Sequence, residues 1–151
     1  MSFEKALVAI NKIEALEDWI CDGKLPQVDC PLVHRFAPGI YAREITIPAG
    51  TIVTGAIHKH SHLNNISKGK VTVFTYTDSE PITMEAPFSF VSEPGIKRAV
   101  YVHPELECVW TTYHYNPDNE TNLEILTSRY TFSEVSDLLG GNTNKQLRSL
   151  L

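Results

Sequence analysis

The stretch GAIHKHSHLNNISKG, residues 55–69, places His58, His60 and His62 on alternate positions, so half of the six histidines fall within five residues. In a straight strand, alternate side chains point to one side, and Thr54 and Ala56 would join these rings on the same face. Packing three imidazoles together without a common partner wastes hydrogen-bonding capacity, whereas a divalent ion such as Fe, Mn, Ni or Zn accepts two or three of them. His58, His60 and His62 are therefore the expected metal ligands. A bare H-x-H-x-H leaves two other arrangements open: a hydrated histidine row at the mouth of a barrel, or a patch on a surface strand.

Other residues could complete such a site. Arg98, in the Lys97–Arg98 pair, presents a planar fork suited to a carboxylate or phosphate on a small anionic ligand. It would equally serve as an ion-pair partner of Glu44 within the sheet, because buried charges persist mainly when paired. Tyr41, Arg43 and Ile45 alternate with Ala42, Glu44 and Thr46, so a polar residue enters the interior whichever face is buried. Glu44 is the only carboxylate of that segment and a candidate general base, with His103 in the turn VHPE as a second proton carrier. Trp110, Thr112 and His114 share one face of a late strand, where Trp110 and His114 are either ligand contacts or core.

The elements that must position these groups read as three segments. From Phe3 to Ile20 apolar residues recur at Leu7, Ile10, Ile13, Leu16 and Ile20, the spacing of an amphipathic helix capped by Ser2 and ended near Gly23. Such a helix covers an open sheet face or edge, or binds a partner. Residues 30–116 are a dense series of short Val-, Ile-, Thr-, Tyr- and Phe-rich runs separated by turn signals such as PAG, SKGK and EPG. They predict strands at 40–47, 52–60, 64–67, 70–76, 82–86, 89–91, 99–103 and 107–115; with no helix between them these must pair antiparallel, as a sandwich or barrel. After Pro117 the pattern from Leu123 to Leu139 is helical again and stops at Gly140 and Gly141, leaving a tail expected to fray. The chain thus divides into an N-terminal helix (1–24), a β-barrel (25–118) and a C-terminal helical segment with its tail (119–151).

Composition narrows the function. With 151 residues, 42% hydrophobic and 21% charged, the chain suffices for one packed domain. A net charge of −5 without a basic stripe argues against nucleic acid, and no apolar run approaches the ~20 residues that span a bilayer. The N-terminus carries acids where a signal peptide would be apolar, so a cytoplasmic protein is expected, in the host cytoplasm if phage-encoded. Cys21, Cys30 and Cys108 are an odd number without a CxxC pair and are expected to be free thiols.

The order of YAREI, PAGT, HKH, SKG, APF, PG, KR and VW followed by a histidine, over roughly residues 30–116, resembles the two consecutive motifs of the cupin family. More closely it is similar to uncharacterised single-domain cupin-like proteins of bacteriophages and some bacteria. The resemblance implies an all-β jelly-roll barrel, here with an N-terminal and a C-terminal α-helix, and a metal held by an H-x-H, a glutamate and a histidine of the second motif. His58 and His60 match the H-x-H; the glutamate slot falls near His62, with Asn64 as the competing candidate. The second-motif slot, three residues after Gly95, holds Arg98, whose guanidinium cannot ligate a cation.

The expected function is that of a protein that binds a small anionic molecule beside a divalent metal in the barrel, in a phage accessory role. Two alternatives remain open: a metal-dependent enzyme of isomerase or dioxygenase type, and an interaction or virion protein whose histidines are vestigial. A homodimer is expected, because homo-oligomers favour two-fold symmetry.

Overall fold

A computed structural model describes residues 12–13, 15–16, 28–75, 78, 80–132 and 146–148. The elements described from residue 28 onward are, in order, β1 (Leu32–Ala37), β2 (Gly39–Ile47), β3 (Thr51–Thr54), β4 (His62–Lys68), β5 (Lys70–Thr75), β6 (Ile82–Glu85), β7 (Phe88–Ser92), β8 (Arg98–Val102), β9 (Cys108–Asn116), α1 (Leu123–Tyr130) and β10 (Gln146–Arg148). Their alternating polarity buries one face and leaves the other to solvent, which forces two sheets to close over a shared core. One sheet runs β1-β2-β9-β4-β7 and the other β10-β3-β8-β5-β6, all pairs antiparallel. This is the all-β jelly-roll barrel expected from the sequence.

The core is graded along the barrel axis. Ile47, Ile66, Val71, Val102, Cys108 and Trp110 pack one end as a continuous apolar cluster. Toward the other end, the same inward positions carry Asn64, His62 and His114, all buried. Polarity at one end and oil at the other is how a small barrel combines a stable core with a site at its mouth. The sharp reversal between β4 and β5 depends on Gly69, whose φ is 90° and where any Cβ would run into the carbonyl oxygen of Glu107. Cys30 and Cys108 are buried free thiols, and burial pushes both up to about 12, so neither is a reactive thiolate.

Four expectations change. The strand expected over 52–60 stops at Thr54; only His58 pairs further on, as an isolated bridge to Thr131. Residues 32–37 form β1, an edge strand pairing with β2 and not singled out from sequence. The helix expected over 123–139 ends at Tyr130, with Thr131 already extended; residues 133–139 lie outside the described residues. Part of the tail, Gln146–Arg148, adds to β3 as an edge strand. That pairing satisfies backbone groups that an open edge of β3 would leave to solvent or to another chain. Most of the expected N-terminal helix lies outside the described residues; of those described, Lys12, Ile13, Ala15 and Leu16 are helical. Among the described residues no helix is long and apolar enough to cross a membrane.

Candidate functional site at the barrel mouth

The three histidines that meet are not the three of the H-x-H-x-H. Because β3 ends early, residues 55–61 cross the mouth as irregular chain, His60 turns outward and is exposed, and His62 re-enters as the first residue of β4. His58 and His62 come together with ring centroids 4.2 Å apart. The third ring is His114 of β9, 5.5 Å from His58 and 5.0 Å from His62. Strand alternation put His114 on the inward face with Trp110 and Thr112; what sequence could not show is that β4 and β9 are neighbours, with Asn64 opposite Thr112.

An aromatic wall supports this cluster. Tyr41 of β2 stands opposite His114 in register and stacks on it at 5.7 Å, while Tyr130 of α1 stacks on His114 from 4.8 Å. His34 of β1 shares a 2.7 Å hydrogen bond with the Tyr41 hydroxyl. Tyr130 arrives there because α1 is anchored at both ends. The Asn122 side chain caps it by accepting from the Glu124 and Ile125 amides at 3.0 and 3.3 Å, and Leu126 is buried beneath it. Beyond the helix, the Lys59 amide donates to the Tyr130 carbonyl at 2.8 Å and the Phe132 amide to the Ile57 carbonyl at 3.1 Å. Residues 123–132 are thus a strap drawn across the mouth, and Lys59 Nζ, donating to the Ser128 carbonyl at 2.9 Å, fastens it.

The electrostatics are one-sided. Burial pushes His58 down to about 2, helped by His62, His114, Arg43 and Arg98, and His114 down to about 3, helped by His62 and Arg43. His62 is lowered too, mainly by burial with Arg98 assisting, although its bond to the His60 carbonyl opposes the shift. At neutral pH all three rings are uncharged. Arg43, on β2 beside Thr112, is itself pushed down to about 10 by burial, and Arg98 is lowered by burial against the pull of Asp78. Arg98 lies on the opposing sheet at the start of β8, its guanidinium 5.7 Å over the Phe90 ring.

The remaining expected residues separate into two groups. Asn64 and Trp110 form a closed core network: Trp110 Nε1 donates to Asn64 Oδ1 at 3.0 Å, and Asn64 Nδ2 donates to Ser92 Oγ at 2.8 Å. Glu44 and His103 lie outside the barrel. Glu44 faces outward from β2 and receives Arg35 Nη1 at 2.8 Å, so it is neither an interior base nor the partner of Arg98. Its neighbour Arg43 takes the inward position, since only one of two consecutive strand residues can. His103 follows β8 on the outer side of the second sheet, where its Nε2 shares a 2.8 Å hydrogen bond with Thr72 Oγ1. Two contributors went unassigned from sequence: Arg43, whose alternation with Glu44 left the face undecided, and Tyr130, which looks like any apolar helix position.

The donor set as arranged does not fit a metal ion: among the described residues no three His, Cys, Asp or Glu side chains are disposed to hold one. The rings of His58 and His114 lie nearly parallel, 12° apart. His62 Nδ1 is turned to the His60 carbonyl and His114 Nε2 to the Thr112 hydroxyl, at 3.3 and 3.0 Å.

No protein-family model matches the chain, and no curated protein matches it. Solved structures do. The oxalate decarboxylase of Lactobacillus farciminis, in a formate complex, superposes with a TM-score of 0.53 at 12% identity, over 83% of this chain and 45% of that one. The chain therefore spans less than half of that enzyme. The fold is a cupin fold. A cupin protein of Bacteroides fragilis gives 0.48 at 16% identity over 66% of this chain and 87% of that one. The cupin domain of Schizosaccharomyces pombe Cnp3 gives 0.47 at 15% identity over 62% and 70%.

Proposed function

We propose that this cupin barrel binds a small anionic molecule at its mouth, between Arg98, Arg43 and the cluster of His58, His62 and His114. The observation that carries the reading is that the guanidiniums of Arg43 and Arg98 both act on His58 against its protonation. A field that repels a proton attracts an anion. The three neutral imidazoles add hydrogen-bond donors, and an anion on Arg98 would share it with Asp78. Arg98 is the natural clamp, since it reaches the site from the opposing sheet and its guanidinium face is already oriented by Phe90. The sequence resemblance to phage proteins suggests an accessory role in which a host metabolite is captured. A homodimer is supported by an apolar row on the outer face of the first sheet, where Leu63, Tyr113 and Val91 stand side by side across β4, β9 and β7.

The divalent metal expected from the sequence would have to use His58, His62 and His114, with His58 or His114 turned so that their nitrogens converge. The close approach of the three rings favours this second reading. One experiment separates the two. Chelator-treated, untagged protein is titrated calorimetrically with phosphate, oxalate and benzoate, with and without added Mn, Fe, Ni or Zn, and metal content is measured in parallel. The expected result is anion binding without metal and at least tenfold weakening in Arg98→Met. Anion binding that appears only with one equivalent of metal overturns the metal-free reading, and no binding to any probe overturns both.

A further inference from the structure

Outside His114, between the end of β9 and α1, lies a cleft of about 480 Å³. Its barrel wall is built by His60, Ser61, His114, Tyr115 and Asp118, and its other wall by Arg129 and Tyr130 of the strap. We propose that this cleft is a second binding site, adjoining the anion site at the His114 ring, for a neutral planar heteroaromatic molecule of about the size of a nucleobase or nicotinamide.

The volume lies within the range of small-molecule sites. Flatness comes from the walls. Tyr115 is 78% exposed and lines the cleft, and Tyr130 and Pro117 add two further flat surfaces. The Arg129 guanidinium is pinned in its plane by Asp118, through Nη1 at 2.7 Å and Nη2 at 2.8 Å, and by Asn116 Oδ1 at 3.3 Å. A guanidinium held this way offers a flat face for stacking. Neutrality follows from the same pair, because Arg129 and Asp118 cancel each other and leave the cleft without the positive field of the barrel interior. The edges then offer both signs of hydrogen bond: a donor at His60, and acceptors at Ser61, whose hydroxyl donates to Glu93 at 3.4 Å, and at the remaining lone pairs of Asp118. A saturated ring of equal size would lose the stacking, and an anion would meet no uncompensated cation.

Because one wall belongs to the barrel and the other to the strap, an occupant bridges them. Its binding should hold the strap down and slow hydrogen exchange at the Lys59 and Phe132 amides, which bond across that seam. The test titrates the full chain, followed by amide NMR, with nicotinamide and adenine as planar probes and cyclohexanecarboxamide as the saturated control. The expected result is saturable binding of at least one planar probe, with shifts at Ser61, Tyr115 and Arg129 and slower exchange at Lys59 and Phe132. Binding should weaken at least fivefold in Tyr115→Ala, survive in Tyr115→Phe, and persist in saturating phosphate. Failure of both planar probes at millimolar concentration, equal binding of the control, an unchanged Tyr115→Ala, or competition by phosphate would each overturn the proposal. Phosphate binding tested alone reports on the anion site, so the two readings can fail separately.

Discussion

Acidification from about pH 7.5 to about pH 5.5 should destabilise the fold far more than its carboxylates could. In the unfolded chain each histidine takes up a proton near its ordinary value of about 6.5. In the folded barrel His58 and His114 stay neutral down to about 2 and about 3. Between the folded and unfolded values the unfolded chain binds more protons, so stability is fully present above the unfolded value and falls as the pH drops below it. At about pH 5.5, one unit below, each such histidine forfeits about 1.4 kcal/mol, hence about 3 kcal/mol for the pair. His62 and His34, both lowered chiefly by burial, act in the same direction. Against a typical total of about 5–15 kcal/mol this is a large loss. Urea unfolding followed by circular dichroism at the two pH values measures it, and His114→Asn should shrink the pH-linked part by about 1.4 kcal/mol. Asp118, held below the usual carboxylate range by Arg129, responds in the same sense only at lower pH. A midpoint unchanged between the two pH values, or a loss that begins only below about pH 4, would refute the buried, neutral cluster.

Asn64→Leu should lower stability by about 2–4 kcal/mol in the same unfolding assay, because it strands the Trp110 indole N–H and the Ser92 hydroxyl in the core. A loss below about 0.5 kcal/mol would show that the network is not closed as described. Glu44→Gln should leave anion affinity unchanged by calorimetry and change stability by less than about 1 kcal/mol, since it breaks only the exposed pair with Arg35. A large effect on affinity would return Glu44 to the site.

Much of the barrel was legible in residue pattern. The inward alternation of Trp110, Thr112 and His114, the SKGK turn around Gly69 and the run of strands without a helix from residue 32 to 116 are local signals, and the structure has each of them. The site was legible in its ingredients and not in its assembly. Whether His60 or His114 joins His58 and His62 depends on where β3 ends and which strand lies beside β4, and both are decided by pairing across the sheet, which no local period encodes. Glu44 and Arg43 show the same limit, since alternation says that one of them enters the barrel and only the packing against His34 and Thr112 says which. The strap was harder still: Thr131 pairs with His58 as a single bridge, too short to leave any periodic trace.

The pairing of Gln146–Arg148 with β3 has a consequence for how the molecule is made. During synthesis β3 emerges early, finds β8 only after the intervening hairpins, and waits for its other neighbour until residues 146–148 have left the ribosome. Throughout that interval one margin of the second sheet is open to strands of other nascent chains. Substitutions that weaken the pairing of Gln146–Arg148 therefore act on the closing of that margin, and solubility during biosynthesis, not activity of the finished barrel, is where their influence should be felt.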